Sequence, residues 1–173
     1  MIAIYIVVAI VLVILVLASL RPNTLRIERA IEIQASADRI YPWLVDFRKW
    51  TNWSPWENLD PNLQRTYGGA ETGVGANYAW VGDKRVGEGR MEILEAAPSS
   101  RVKIALQFIK PFAANNTVEL TLAPAGNGTR LTWVMTGASP FMQKLFGLFM
   151  NMDAMIGKDF EKGLSAIKRV AEG

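Results

Sequence analysis

The chain has 173 residues, with 19 Lys+Arg against 16 Asp+Glu, a formal net charge of +3, and neither cysteine nor histidine. Composition alone therefore excludes disulfides, thiolate nucleophiles, Cys/His zinc sites, imidazole- or thiolate-held haem or copper, and Ser-His-Asp or Cys-His triads. The length suits one membrane segment plus a single domain.

Residues 2–20, IAIYIVVAIVLVILVLASL, carry no charge. As helix they would span about 28 Å, close to the ~30 Å hydrocarbon core of a bilayer. β-branched residues dominate the run, but in lipid the backbone must bond internally, so helix outweighs propensity. The segment is apolar on every face, unlike the striped helix of a soluble core. A cleaved signal peptide needs basic residues ahead of the run and a small-x-small site behind it. Only Met1 precedes the run, and Leu17-Ala18-Ser19-Leu20 is a poor cleavage context. Residues 1–21 are thus expected to form an uncleaved single-pass anchor and 22–173 one domain. Arg21, Arg26 and Arg29 follow directly, which puts that domain on the cytoplasmic side, in a bacterium beneath the inner membrane. Pro22-Asn23 ends the helix.

Residues 25–35 alternate, with Leu25, Ile27, Ile31, Ile33 and Ala35 on one face and Arg26, Glu28, Glu32 and Gln34 on the other. That is a half-buried strand. Arg29 has the parity of the apolar face. A guanidinium there must be paired, either with a ligand carboxylate or phosphate or with an acidic neighbour. Ser36 or Asp38 is placed to cap a short helix through Ile40, Trp43, Leu44 and Phe47. A turn-rich stretch follows at 50–62. Trp43, Trp50, Trp53 and Trp56 fall within it or just before it, suited either to touching lipid or to a satellite core. Strand patterns then recur at 64–68, 76–82, 85–96, 101–110, 116–122 and 129–136, with Gly126-Asn127-Gly128 as a hairpin turn. Short strands joined by turns imply an antiparallel meander. The Gly68-Gly69 and Gly73-x-Gly75 loop lacks the features of a phosphate loop and reads as a flexible entrance loop. From Pro140, apolar residues at Phe141, Leu145, Leu148, Phe149, Met152, Ile156, Phe160, Leu164 and Ile167 keep helical spacing over some thirty residues, with Asp153 a possible restart after a break. Met142, Met150, Met152 and Met155 suit either an adaptable apolar wall or ordinary packing.

The order strand, short helices, about six strands, long helix resembles the helix-grip fold of the SRPBCC superfamily, which includes START lipid-transfer domains and polyketide cyclase/dehydrase-like proteins. The resemblance rests on Asp46-Phe47-Arg48-Lys49-Trp50 through Trp53-Ser54-Pro55-Trp56, Gly73-Val74-Gly75, Gly87-Glu88-Gly89-Arg90-Met91, Leu131-Thr132-Trp133 and Phe160-Glu161-Lys162-Gly163-Leu164. It covers residues 25–172. It implies an α+β fold, with a curved antiparallel sheet wrapped around a long C-terminal helix and an apolar cavity between them. It carries over no catalytic residue.

Strand parity and helical spacing give the residues expected to line such a cavity: Arg29, Tyr78, Trp80, Gly87, Gly89, Met91, Phe108, Trp133, Met135, Phe149, Met152 and Ile156. Gly87 and Gly89 remove two side chains from one face, leaving room or marking a bulge. Asn116 shares the inward parity of Val118 and Leu120. The expected function is membrane-anchored binding, or transport, of a hydrophobic small molecule or lipid, with no cofactor and no metal. The basic residues are dispersed among acids, so no nucleic-acid partner is expected, and no protein partner is indicated. Two alternatives stay open. One is a cyclase- or dehydrase-like enzyme, for which Tyr67, Tyr78 and Glu88 are the available acid/base groups. The other is an interaction or stress-related module with a filled core.

Overall fold

A computed structural model describes all residues 1–173. Helix α1 (Ile2–Ser19) leads into β1 (Thr24–Ile33), α2 (Ala37–Leu44) and a 3₁₀ turn at Phe47–Asn52. Six further strands follow: β2 (Gln64–Gly69), β3 (Ala76–Val81), β4 (Glu88–Ala97), β5 (Arg101–Lys110), β6 (Ala114–Ala125) and β7 (Gly128–Ala138). Helices α3 (Phe141–Phe146) and α4 (Met152–Glu172) complete the chain. The sheet order is β1-β7-β6-β5-β4-β3-β2 with every pair antiparallel. The α+β helix-grip architecture expected from the sequence is present. Its curl is helped by register shifts in the β4–β5 pair at Glu88/Gly89 and Ile93/Glu95.

One face of the sheet is buried beneath α4, whose Phe160, Leu164, Ile167 and Ala171 are inaccessible. Burying such side chains contributes about 1.5–3 kcal/mol each. Trp50 and Trp53 lie in this core, and Trp43 and Trp56 pack against it. The indole N–H of Trp50 donates to the Leu44 carbonyl at 3.3 Å and that of Trp53 to Trp43 at 3.0 Å. Of the two roles open to the tryptophans, they therefore serve the core.

The C-terminal helical stretch does break, between α3 and α4, and the long helix α4 restarts at Asn151, whose side chain accepts from the Ala154 N–H at 3.0 Å. The cap is Asn151 rather than Asp153 because a short amide at that position satisfies a donor the first turn leaves open. The glycine loop between β2 and β3 is tied down. Gly73 N–H donates to the Val45 carbonyl at 3.0 Å and Gly75 N–H to Ile93 at 2.9 Å. Positive φ at Gly69, Gly73 and Gly75 makes that tight path possible.

Candidate ligand-binding site

Register places the inward residues in rows across the sheet. One row near the end where α1 joins runs Leu25, Gly137, Asn116, Leu106, Met91, Tyr78, Tyr67. The next runs Ile27, Met135, Val118, Ile104, Ile93, and the third holds Arg29, Trp133, Leu120 and Val102. Tyr78, Trp80, Met91, Trp133 and Met135 are buried on this face, and Phe108 and Ile156 are half-buried against it. Asn116 does face inward. Its amide donates only to the Met135 sulfur, at 3.8 Å, a weak acceptor.

The third row is filled. Trp133 stacks on Phe160 at 4.2 Å between ring centroids, and Trp50, Trp53 and Trp56 meet it edge-on. Trp133 Nε1 is a buried donor with no protein acceptor. Gly87 and Gly89 do not leave open space. A Cβ on Gly89 would overlap the Trp80 ring, and one on Gly87 would overlap the Lys110 carbonyl. Their role is close approach, with Gly87 at φ +70° beside the bulge.

Arg29 is fully engaged. Its Nε donates to Glu161 Oε1 at 2.9 Å and its Nη2 to Asp153 Oδ2 at 2.9 Å, both on α4, while Nη1 donates to the Glu28 carbonyl at 2.7 Å. The guanidinium lies where a Cβ on Gly157 would be. Hydrogen bonds to Asp153 and Glu161 push the Arg29 pKa further up, and Arg29 holds the Asp153 carboxylate below its ordinary value. Of the two partners open to Arg29, the acidic neighbour is the one observed, and it comes from the far end of the chain.

A buried polar cluster braces the turn-rich loop. Glu57 is 4% exposed. Its Oε2 accepts from Arg65 Nε at 2.6 Å and its Oε1 from the Tyr78 hydroxyl at 2.7 Å. Burial, then the bond to Glu57, raises the Tyr78 pKa far above that of free tyrosine. Asp60 accepts from the Asp83 N–H at 2.8 Å. No local signal marks Glu57, because its partners lie eight and twenty-one residues away. Glu88, another of the three acid/base candidates, pairs with Lys110 at 2.8 Å.

A crevice of about 500 Å³ opens where the α1–β1 linker, the end of β7, α3 and the start of α4 meet. Its apolar lining is Leu25, Leu148, Phe149, Met150 and Met152. Phe149 and Met152 of the expected lining residues are here, but Phe149 is 72% exposed. The helix break turns it away from the sheet. Met142, Met150 and Met155 are also exposed, so they form neither an inner wall nor ordinary core. The polar lining includes Arg21 and Lys144. Lys144 is only 9% exposed, and its ammonium donates to Asn23 Oδ1. Neither cation has a carboxylate partner, whereas the crevice's Asp153 is held by Arg29. Lys144 lies one turn from Phe141 and Leu148, a spacing that puts it on the apolar helix face.

The same fold occurs in protein CV1439 from Chromobacterium violaceum, at 18% identity and TM-score 0.60, covering 88% of this chain and 99% of that one. It also occurs in SA2116 from Staphylococcus aureus, a protein of unknown function, at 14% identity and TM-score 0.63, covering 86% and 94%. The Aha1 dimer from Colwellia psychrerythraea matches at 16% identity and TM-score 0.58, covering 86% and 96%. No curated protein matches the chain. Residues 24–172 match the profile of the polyketide cyclase/dehydrase and lipid transport family, and the chain belongs to that family.

Proposed function

We propose that this chain is a single-pass membrane protein whose domain binds a hydrophobic small molecule or lipid through the crevice beside its anchor. The observation that carries the reading is the crevice itself, lined by apolar side chains together with Arg21 and Lys144, at the exit of an uncharged 18-residue helix. Ligand sites are mostly apolar with a few placed polar groups. Arg21 and Lys144 supply positive charge where the anchor meets the lipid headgroups. The ligand this favours is an amphiphile with an anionic head. Arg21, Arg26 and Arg29 after α1 support a cytoplasmic domain.

Two facts favour binding over catalysis. Tyr78 is held by Glu57 in a buried brace, and Glu88 is paired with Lys110. In a chain without His or Cys, Tyr67 is the one other group available for acid/base work, and its ring stacks on Tyr78.

The test is native mass spectrometry of the full chain released from nanodiscs of mixed phosphatidylglycerol and phosphatidylcholine. Retention of one anionic lipid or apolar metabolite, reduced several-fold by Lys144→Gln, is the expected result. A bare chain mass, with no thermal shift across either lipid, would overturn the reading.

A further inference from the structure

The exposed apolar side chains of the domain are segregated. Antiparallel register fixes which loops share an end. Thr24 pairs with Ala138, and Asn116 pairs with Gly137. The β5–β6 turn therefore lies at the same end as the α1 exit and α3. Glu88 pairs with both Val81 and Lys110, which brings the β3–β4 turn there too. At this end Phe112 is 81% exposed, Phe149 72%, Met142 57% and Phe146 55%, with Ile109 and Met150 also open. At the opposite end the β4–β5 turn is Pro98-Ser99-Ser100 and the β6–β7 turn is Gly126-Asn127. The one large apolar residue exposed in a turn there is Val74.

Scattered apolar side chains on a surface need no explanation, but a set from separate loops gathered at one end does. That end is where α1 joins. Helix α1 packs against α3, burying Ala18, while Leu17 and Leu20 stay exposed. The apolar surface of α1 is thus continuous with that of α3 and the α3–α4 loop. Lys84 and Arg21 at the same end have no carboxylate partner, while Arg85 pairs with Asp83 at 2.5 Å and Lys110 with Glu88 at 2.8 Å.

We infer that the domain docks end-on against the bilayer that holds α1, inserting Phe112 from the β5–β6 turn and Phe146 and Phe149 from the α3–α4 region. The domain does not swing free on its linker. The crevice then opens into the headgroup layer, where an amphiphile can enter without crossing water. This rests on α1 being a membrane anchor, and the experiment separates the two claims.

The chain has no cysteine, so single-cysteine variants of the full chain can each carry one spin label. Phe112→Cys, Phe149→Cys, Val74→Cys and Leu17→Cys are placed in phosphatidylglycerol/phosphatidylcholine nanodiscs, and collision with oxygen and with a water-soluble nickel complex is measured. Labels at 112 and 149 should collide with oxygen and be shielded from nickel, like that at 17. The label at 74 should show the reverse. Nickel access at 112 and 149 equal to that at 74, with 17 still in lipid, overturns docking and leaves the anchor intact. Shielding at 112 from both reagents overturns it in favour of a second copy or another protein covering that end. Nickel access at 17 overturns the anchor and the docking together.

Discussion

At Glu57 a single carboxylate holds three parts of the chain: its own loop, β2 through Arg65 and β3 through Tyr78. Glu57 is buried but Arg65 still reaches water, with 28% of its side chain exposed, so loss of the carboxylate leaves mainly the buried Tyr78 hydroxyl without its acceptor. Glu57→Ala is therefore expected to lower stability by about 2–3 kcal/mol, read as a fall in the denaturation midpoint. Tyr78→Phe removes one donor and keeps the ion pair, so its cost should be nearer 1–2 kcal/mol. The two also differ with pH. The folded pKa of Tyr78 is raised, so its share of stability is complete below the unfolded value near pH 10 and falls as pH rises beyond it. Tyr78→Phe should flatten that alkaline loss in a denaturation series. An unchanged slope would show that another group is responsible. Nothing in the sequence around Glu57 announces this role, since it sits among turn residues and its partners become neighbours only once the sheet forms.

For whole elements, legibility follows the range of the interaction. Strand parity was readable because alternation is local. Leu25, Ile27, Arg29 and Ile31 all face α4, and the polar set faces away. The gap between α3 and α4 was readable only as a restart near Asp153, because Phe141 through Phe160 keep helical spacing across it. It is set by the capping bond of Asn151 and by the packing of α1 on α3. Helix α4 carries its own test of how tightly it is seated. A Cβ on Gly163 would stand 2.9 Å from the Trp133 ring and 3.0 Å from Pro55, neither of which can rotate away. Gly163→Ala should therefore destabilise by about 1–3 kcal/mol through overpacking, more than the ~1 kcal/mol gained in helix propensity. Gly157→Ala meets only the end of the Arg29 side chain. The guanidinium can move, and the ~1 kcal/mol gained in helix propensity offsets its weakened ion pairs, so thermal stability near neutral pH should stay close to wild type. What should change is the acid limb. Arg29 lowers the Asp153 pKa, giving stability present above the ordinary carboxylate range and lost as pH falls through the lowered value. Displacing Arg29 should weaken that dependence below about pH 4.

On the scale of the whole molecule, α1 and the domain are nearly independent in packing yet share one apolar surface. Only Ala18 of α1 is buried, so the helix adds little to the core that holds sheet and α4 together. A chain lacking residues 1–21 should keep the cooperative unfolding transition of the full protein, because the rows beneath α4 are intact. It should not remain monodisperse. Phe112, Phe146 and Phe149 would then face water at one end, and apolar patches gathered in this way drive association. Light scattering should show the truncated chain self-associating, with dispersal by vesicles containing phosphatidylglycerol. Replacing Phe112 and Phe149 together by Ser should restore a monomer and abolish vesicle binding while leaving the unfolding free energy within about 1 kcal/mol, since exposed positions contribute little to the fold. If the truncated chain stays monomeric and ignores vesicles, the apolar end has no affinity for lipid of its own. The anchor alone then accounts for attachment. If it binds vesicles only when they carry anionic lipid, the cations left at that end, Lys84 among them, act with the aromatic residues, and salt should weaken the attachment by screening.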